Sequence, residues 1–301
     1  MKFGIMGAGA VGSYFGAKLV KAGYPTVFIG RESFVDRAAG HGLRFRSGDI
    51  DEAVPINAHT DCVALADADV VLCCVKSAAT AAAGAQLKPH LRTTATVISF
   101  QNGFDNADRL GAALGRPVVP AAVYVAVEVP GPAEVLHHGR GDVVLGAAPT
   151  SEAIADVLRQ AGIPVKVSGQ VREALWSKLT GNCALNALSA LGEQPYGRLV
   201  ESPGVLAVMK DVIRECEAVG RAMGLQLPSA DLDAVLAIAR TMPAQLSSTA
   251  QDLVRGRPSE IDHLNGYVVR RGEELGVEVP ANRALQVTVK LLETKRGDRR
   301  G

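Results

Sequence analysis

Apolar residues in the first half of the chain form short β-branched runs that alternate with stretches of helical periodicity. This alternation is typical of a parallel sheet with helices packed on its faces. The predicted strands are Lys2–Met6, Thr26–Ile29, Asp69–Val75, Thr96–Phe100, Val118–Val129, Val143–Leu145 and Val165–Val167, with a helix over Glu152–Ala161 between the last two. We therefore expect an α/β domain with a doubly wound parallel sheet over residues 1–168.

After Ser168-Gly169 the strand-like runs almost vanish, and amphipathic stretches of helical periodicity continue to Lys295. Prolines separate these stretches, and proline ends or kinks a helix. The predicted helices are Gln170–Leu191, Val205–Met223, Asp231–Met242, Ser248–Arg255, Ser259–Leu275 and Asn282–Thr294, with Pro203, Pro228, Pro243, Pro258 and Pro280 between them. We therefore expect an all-helical C-terminal domain over residues 169–301.

The length and the charge of the chain limit its partners. A chain of 301 residues is long for one hydrophobic core, which agrees with two domains. Its 32 Lys and Arg residues nearly balance its 31 Asp and Glu residues and are scattered along the sequence, so nucleic acid and membrane surfaces are not expected partners. No run reaches the roughly 18 apolar residues that a membrane-spanning helix needs.

The cysteines favour a reducing compartment. The five thiols, at positions 62, 73, 74, 183 and 216, form no Cys-x-x-Cys pair and have no histidine at metal-ligand spacing, so no metal site is expected. The glycines from Gly4 to Gly16 make the N-terminal apolar stretch a poor continuous helix, which argues against a secretory signal. We therefore expect a cytoplasmic protein.

A glycine-rich sequence, Gly7-Ala8-Gly9-Ala10-Val11-Gly12, follows the first predicted strand and opens a helix. In a βαβ unit this spacing is the fingerprint of a dinucleotide site of the Rossmann type. Gly7 permits the tight turn, Gly9 lets the backbone approach a pyrophosphate, and Gly12 lets the helix pack on the strand. Amides at the helix start then bind the phosphates. The alternative is a glycine-rich turn without a ligand.

Two basic residues favour NADPH over NADH as the dinucleotide. Arg31 follows the second predicted strand, where NAD enzymes place an acid on the ribose, and a guanidinium there pairs with a 2′-phosphate. Glu32 beside it leaves NADH as an alternative, and a solvated loop arginine is the alternative to a cofactor contact by Arg31. Lys76 ends another strand on the same edge of the sheet, where it either faces the adenosine phosphate or is simply solvated.

Asn102 follows the strand Thr96–Phe100, again at the carboxyl end where open α/β sheets bind ligands. Its amide is suited to hydrogen-bond the nicotinamide ribose or the substrate. Because Asn-Gly is also the commonest turn dipeptide, an ordinary turn at Asn102-Gly103 is an equal alternative.

A polar face on the first helix of the second domain carries the chemistry. Lys178, Asn182 and Asn186 are four residues apart and lie along one side of a helix. Asparagine is a mediocre helix former, so two of them aligned with a lysine indicate a polar cleft, although an exposed polar stripe is the alternative. Reduction of a ketone by hydride produces an alkoxide, and Lys178 is suited to polarise the carbonyl and protonate that oxygen.

Two further polar residues stand where predicted helices begin. Ser248, with the local amides, is suited to hold a substrate carboxylate. Glu260 is suited to accept a hydrogen bond from a substrate hydroxyl or from Lys178. From these residues alone, ordinary helix capping by both is the stronger interpretation.

Taken together, the sequences GAGAVG, CVKS, QNG, WSKLTGNCALNAL and SSTAQDLVRGRPSEID resemble the ketopantoate reductase (2-dehydropantoate 2-reductase) family along essentially the whole chain. The resemblance implies a Rossmann domain that binds NADPH, a helical domain, and the reduction of ketopantoate to pantoate on the way to pantothenate. It further implies that Lys178 is the general acid and that Glu260 supports it and contacts the substrate. Asn182, Asn186 and Ser248 then hold the substrate, and Asn102 lies where cofactor and substrate meet.

The resemblance leaves alternatives open. Tyr196 and Gln245 stand where well-known members carry asparagine near the substrate, so another 2-oxo acid is an alternative substrate. A 3-hydroxyacid dehydrogenase of the 6-phosphogluconate or hydroxyisobutyrate type has a similar glycine loop and helical lysine, but the SxxxQD and EID sequences argue against it. A non-catalytic NADP-binding regulator is the alternative outside the enzymes. The apolar surface of the helical domain is compatible with a homodimer.

Overall fold

The computed structural model describes residues 1–227 and 232–298, with side chains described as far as residue 295. The chain divides into two compact units, Met1–Ala174 and Leu175–Gly301. The division falls just inside a long helix, whereas the predicted domain boundary, between residues 168 and 169, lies before that helix. Each unit is described by itself below.

The first unit is built on a mixed sheet with a parallel centre. Its strands are β1 (Phe3–Met6), β2 (Thr26–Ile29), β3 (Leu43–Ser47), β4 (Ile50–Val54), β5 (Asn57–His59), β6 (Val70–Cys73), β7 (Thr96–Ser99), β8 (Val119–Glu128), β9 (Glu134–Gly146) and β10 (Val165–Ser168). They lie in the order β4-β3-β9-β8-β7-β6-β1-β2-β5, with β10 also paired to β9. The run from β8 to β5 is parallel, and antiparallel pairs occur at β8 with β9 and at β3 with β4.

Helices cover both faces of this sheet, which confirms the predicted doubly wound fold. The helices are α1 (Ala10–Lys21), α2 (Glu32–His41), α3 (Thr80–Leu87), α4 (Asn106–Leu114) and α5 (Ser151–Gln160). Successive strand residues point to opposite faces. Phe3 and Ile5 of β1 share a core with α1, α2 and α5, while Met6 belongs to the core formed with α3 and α4.

Two parts of the first unit were not predicted from the sequence. Residues 32–59 form α2, β3, β4 and β5, although β4 buries only its last residue and therefore shows no apolar alternation. The strand β9 is also much longer than the predicted Val143–Leu145, because it continues through Gly139 and Gly141, where its register with β8 shifts. Glycines and irregular pairing hide such a strand from periodicity.

The second unit is all helical, as predicted. Its helices are α6 (Val171–Gly192), α7 (Tyr196–Glu201), α8 (Val205–Ala222), α9 (Leu232–Thr241), α10 (Ser248–Val254), α11 (Asn265–Leu275) and α12 (Pro280–Asp298). The predicted helix start at Asp231 and the predicted break at Pro228 lie outside the described residues. Within the described ranges, no helix has both the length and the apolar composition needed to cross a bilayer.

One predicted helix of the second unit was wrong. Ser259–Leu275 is not continuous: a 3-10 turn over Ile261–His263 precedes α11, and Leu264 between them has backbone angles of −108° and −103°, outside the helical region. The short helix α7, absent from the prediction, begins at Tyr196. A helix of this length has too few residues to show a period.

Buried hydrogen bonds fix α6 in the second unit. The indole Nε1 of Trp176 donates to the carbonyl oxygen of Cys216 on α8 at 3.0 Å. The Glu215 carboxylate, 5% exposed, accepts from the amides of Ala281 and Asn282 at 2.8 and 2.9 Å. It therefore supplies the first amides of α12 with acceptors. These contacts tie α6, α8 and α12 together and set which face of α6 is packed.

Candidate active site

Four strand ends of the first unit meet at one edge of its sheet. Met6 at the end of β1 is level with Cys73 of β6 and Ile29 of β2, and Cys73 is level with Ser99 of β7. Because these strands are parallel, the segments that follow them lie side by side. Along this edge the predicted cofactor residues come in the order Asn102, Lys76, the glycine loop and Arg31.

The glycine loop makes a tight turn that its own backbone holds in place. Gly7 has a φ of +103°, and a Cβ there would lie 2.9 Å from the backbone nitrogen of Val75. The amides of Gly7 and Ala8 both donate to the carbonyl oxygen of Ile29, at 3.1 and 2.9 Å. These two amides therefore bind the loop to β2, and the donors that remain for a phosphate are those of the first turn of α1.

Gly12 and Gly9 differ in what surrounds them. A Cβ on Gly12 would lie 2.2 Å from the carbonyl oxygen of Gly7, so the start of α1 packs directly on the turn. A Cβ on Gly9 would meet nothing within 4 Å. Packing therefore requires glycine at position 12 but leaves open space at position 9. With no acidic residue in the first turn of α1, this open space fits an anionic phosphate.

Arg31 stands at the start of α2, beside the glycine loop. It is the residue before the first turn of that helix, and its side chain is exposed. A Cβ on Gly30 would be 2.7 Å from the Phe34 ring and 3.3 Å from Cβ of Ala8, so the segment after β2 packs against the loop. Glu32, in the first turn of α2, is also exposed.

A buried polar network, absent from the sequence-based expectations, joins the segments that carry Lys76 and Asn102. The Asn106 amide donates to Oγ of Ser77 at 3.0 Å and to the carbonyl oxygen of Asn102 at 2.5 Å. The Ser77 hydroxyl donates to that same carbonyl at 3.0 Å. Thr80 donates to Oδ1 of Asn106 at 2.8 Å. The carbonyl oxygen of Asn102 thus accepts from two buried donors, which fix the backbone at this position.

Gln101 extends this network into the sheet. Its Nε2 donates to the carbonyl oxygen of Val75 at 3.0 Å and to Oγ1 of Thr80 at 2.7 Å, and its Oε1 accepts from the Ser99 hydroxyl at 3.0 Å. Gln101 comes directly after the predicted strand Thr96–Phe100, and this position was the signal in the sequence, because a polar residue there needs hydrogen-bond partners when it is buried.

Polar residues line one side of α6 in the second unit. Lys178 and Asn182 are half-buried and Asn186 is 3% exposed, and the continuous helix puts the three on one face. Leu175, Leu179 and Cys183 are buried. The face is therefore a polar strip within a packed helix rather than a fully exposed stripe.

Asn186 is bonded at both ends of its amide. Its Oδ1 accepts from the phenol of Tyr196 at 3.1 Å, and its Nδ2 donates to Oγ of Ser248 at 3.4 Å. The backbone amide of Tyr196 donates to the carbonyl oxygen of Gln245 at 3.0 Å. The side-chain amide of Gln245 donates to the carbonyl oxygen of Leu246 at 2.7 Å. The two positions that depart from the family pattern are therefore neighbours.

The capping interpretation of Ser248 is wrong, because Ser247 caps α10. The Ser247 hydroxyl accepts from the amide of Ala250 at 3.0 Å and donates to the backbone carbonyl of Asn186 at 3.0 Å. The Ser247 side chain is 1% exposed, whereas Ser248, the first residue of α10, is exposed. With the cap supplied by its neighbour, the Ser248 hydroxyl accepts from Nδ2 of Asn186 instead.

Glu260 does not cap a helix either. It precedes the 3-10 turn, and its carboxylate accepts no hydrogen bond from the amides of that turn. Ser259 serves the turn instead, since its Oγ accepts from the amide of Ile261 at 3.2 Å and donates to the Glu293 carboxylate at 2.6 Å. The Glu260 side chain, 9% exposed, therefore has no capping role.

Cys73 and Cys74 lie at the carboxyl end of β6, beside the glycine loop. Burial raises the pKa of Cys73 to about 12 and raises the pKa of Cys74 well above its usual value, so neither is a thiolate near neutral pH. Among the described residues, no three His, Cys, Asp or Glu side chains form a group that could hold a metal ion.

Comparison with known proteins gives the same family over both units. The family model described as Ketopantoate reductase PanE/ApbA matches residues 3–150, and the model of its C-terminal part matches residues 170–293. The 2-dehydropantoate 2-reductase of Vibrio cholerae is 32% identical over 97% of this chain and 98% of its own length.

Solved structures agree with this result. A PanE/ApbA family ketopantoate reductase from Ralstonia eutropha JMP134 is 51% identical, with a TM-score of 0.94 over 99% of this chain and all of its own. The 2-dehydropantoate 2-reductase of Methylococcus capsulatus is 25% identical, with a TM-score of 0.85 over 98% of both chains. The chain therefore belongs to the ketopantoate reductase family and is an NADP-dependent oxidoreductase.

Proposed function

We propose that this protein reduces 2-dehydropantoate (ketopantoate) to pantoate with NADPH, as a step of pantothenate biosynthesis. Residues 1–168 hold the cofactor, and residues 169–301 bind the substrate and supply the acid. The observation that carries the proposal is the polar strip of α6, where half-buried Lys178 and Asn182 are followed by buried Asn186. A lysine followed by two side-chain amides on one helix face is suited to donate hydrogen bonds to a carbonyl oxygen and to the neighbouring oxygens of a substrate.

The edge of the first unit fits NADPH. The order Asn102, Lys76, glycine loop and Arg31 spans three strand spacings, about 14 Å, along which an extended dinucleotide can lie. Residues Gly7, Ala8, Gly9, Ala10, Val11 and Gly12 cradle the pyrophosphate, with the first-turn amides of α1 as donors. Arg31 and Lys76 pair with the 2′-phosphate, and Asn102 bonds the nicotinamide ribose or the substrate. When bound, NADPH supplies the hydride.

Residues of the second unit position the substrate and supply the proton. The Lys178 ammonium donates a hydrogen bond to the ketone oxygen, which makes the carbonyl carbon more electrophilic. It then delivers a proton to that oxygen as hydride transfer turns it into an alkoxide. Asn182, Asn186 and Ser248 hold the oxygens of the substrate. Glu260 contacts the substrate hydroxyl and supports Lys178. Such positioning converts a bimolecular encounter into a step within one complex.

A second candidate is a reductase of another 2-oxo acid. The phenol of Tyr196 and the amide of Gln245 already bond to Asn186 and to Leu246. Polar groups that already have a hydrogen-bond partner bind a substrate hydroxyl less strongly. This favours 2-oxo acids that carry no hydroxyl group. Turnover of 2-dehydropantoate against a panel of 2-oxo acids distinguishes the two candidates by kcat/KM.

The absorbance of NADPH in the presence of 2-dehydropantoate tests the proposal. Lys178→Ala is expected to lower kcat by about 10²- to 10⁴-fold, the usual contribution of a general acid. Lys210→Ala, an exposed lysine on α8, is the matched control and should leave kcat unchanged. Tight NADPH binding without turnover of any 2-oxo acid would contradict the reductase and support a non-catalytic regulator.

We also propose a homodimer in the cytoplasm. Val254, Val287 and Leu291 of the second unit are large apolar side chains that are 57%, 50% and 65% exposed, and a partner subunit would cover them. All five cysteines are unpaired, as in a reducing compartment. Light scattering of the purified protein tests the dimer, and fractionation of cells tests the compartment.

A further inference from the structure

Three side chains of the second unit form a line from its interior to its surface. Tyr196, 7% exposed, bonds through its phenol to Oδ1 of Asn186, which is 3% exposed. Nδ2 of Asn186 lies 3.4 Å from Oγ of Ser248, and Ser248 is exposed. A buried amide needs partners for both its oxygen and its nitrogen, and these two hydroxyls provide them.

The backbone holds both ends of the line. The Tyr196 amide donates to the carbonyl oxygen of Gln245, at the base of the segment that leads to Ser248. At the other end, the Ser247 hydroxyl donates to the backbone carbonyl of Asn186 at 3.0 Å. The distances along the line are therefore set by the fold and not by flexible side chains alone.

The phenol determines the direction of the hydrogen bonds. Burial raises the pKa of Tyr196, so the phenol keeps its proton. Since its hydroxyl has no other acceptor within hydrogen-bond distance among the described residues, it donates a hydrogen bond to Oδ1 of Asn186. The amide nitrogen then faces Ser248 and donates to its oxygen. Within the described residues the Ser248 hydroxyl donates to no protein group, so its own hydrogen is available to an acceptor on a ligand.

On the basis of the proposed function, we infer that Tyr196 is a positioning residue that makes Ser248 a donor to the carboxylate of a 2-oxo acid. It acts by holding the Asn186 amide in one of its two orientations. In the flipped orientation Oδ1 would face Ser248 and take its hydrogen, and an amide oxygen would lie on the side of the carboxylate. Tyr196 therefore favours a substrate with an acceptor oxygen at this place over one with a donor.

A double-mutant cycle tests the inference. Tyr196→Phe removes the phenol oxygen and keeps the ring, and Ser248→Ala removes the end of the line. The dissociation constant of 2-dehydropantoate is measured by calorimetry on the NADP⁺-saturated protein, with KM and kcat in parallel. Tyr196→Phe should raise the dissociation constant and KM about 5- to 10-fold, as expected for one directed hydrogen bond, and change kcat less than about 2-fold.

The double variant separates positioning from a general structural effect. If Tyr196 acts through Asn186 and Ser248, Tyr196→Phe should weaken binding no further once Ser248 is alanine. Tyr124→Phe is the matched control, because that phenol donates to the carbonyl oxygen of Ala174 at 3.2 Å, in the first unit. It should leave the dissociation constant unchanged. Additive effects of Tyr196→Phe and Ser248→Ala would overturn the inference.

A change in the ligand, rather than in the protein, provides an independent measurement. The carboxamide of the same 2-oxo acid carries an N–H donor in place of one acceptor oxygen, so the preference for acid over amide should fall in Tyr196→Phe. An unchanged preference would contradict the inference. If the wild type binds the acid but does not oxidise NADPH, the proposed function fails while the cycle on dissociation constants still decides the role of Tyr196. Absence of any binding by the wild type would refute that role.

Discussion

Gly12 packs against the carbonyl oxygen of Gly7 so closely that an added Cβ would lie 2.2 Å from that oxygen, whereas a Cβ on Gly9 would meet nothing within 4 Å. Gly12→Ala should therefore displace the start of α1 and destabilise the first unit, by about 1–3 kcal/mol as for other overpacked sites. Gly9→Ala should leave the melting temperature unchanged but weaken NADPH binding at least about 10-fold, because the methyl group would occupy the space of the pyrophosphate.

Thermal denaturation and calorimetric titration with NADPH measure these two effects. Gly40→Ala is the control, since a Cβ there also meets nothing within 4 Å and the residue lies in α2, away from the loop. It should leave NADPH affinity as it is. If Gly9→Ala bound NADPH with wild-type affinity, the glycine loop would not be part of the cofactor site.

The exposed Arg31 determines the choice between NADPH and NADH in our proposal. Arg31→Ala should raise KM for NADPH about 10- to 100-fold, the value of a charge-assisted hydrogen bond to a phosphate, and leave KM for NADH nearly unchanged. Steady-state kinetics with both cofactors measures the ratio. Arg37→Ala, which replaces an exposed arginine within α2, is the control. An equal increase in KM for both cofactors would show that Arg31 does not bind the 2′-phosphate.

Thr80 tests the network that holds Asn102. Thr80→Val keeps the shape of the side chain but removes the partner of one N–H of Gln101. It also leaves Oδ1 of Asn106 with only the longer bond from the Arg109 guanidinium, at 3.4 Å. The free energy of unfolding should fall by about 1–3 kcal/mol, and KM for NADPH should rise. Thr288→Val on α12 removes an exposed hydroxyl bonded to the carbonyl oxygen of Ala284 and should cost less than about 0.5 kcal/mol. Urea denaturation measures the free energy of unfolding of both variants. A loss in Thr80→Val as small as that in Thr288→Val would contradict a stabilising role of the network.

His137 makes the first unit sensitive to acid. Its Nε2 lies 2.6 Å from the carbonyl oxygen of Arg140 and must donate to it, so Nδ1 accepts from the Ser47 hydroxyl in the neutral ring. Burial, with a smaller effect of Lys18 and His138, lowers its pKa in the folded protein. The stabilisation that the neutral ring contributes is therefore fully present above the ordinary histidine pKa of about 6.5. It is lost as the pH falls through the lower pKa of the folded state.

The melting temperature of the wild type should drop more between about pH 7.5 and about pH 5.5 than that of His137→Gln, because only the histidine gains a proton in that range. His41→Gln, at the exposed end of α2, provides the comparison and should follow the wild type. A wild type and a His137→Gln variant with the same pH dependence would contradict this role.

Much of the fold could be predicted because local periodicity determines it. The apolar runs of β1, β2, β6 and β7 and the amphipathic stretches of α8 and α12 carry their patterns within a few neighbouring residues. The polar strand β4 and the bulged strand β9 carry no such pattern, and they form because β3 and β8 offer edges to pair with. Pairing between distant segments is invisible to a window of local sequence.

The candidate site divides in the same way. The sequence by itself determined which residue types are present and their spacing: the glycine loop, Arg31 after a strand, and Lys178 in line with Asn182 and Asn186 on one helix. Only the tertiary structure decided their partners, such as Ser247 rather than Ser248 as the cap of α10. The bond from Asn186 to Ser248 joins residues 62 positions apart, and that from Thr80 to Asn106 joins residues 26 apart. Such pairs depend on which elements pack together, which the burial of the whole core determines.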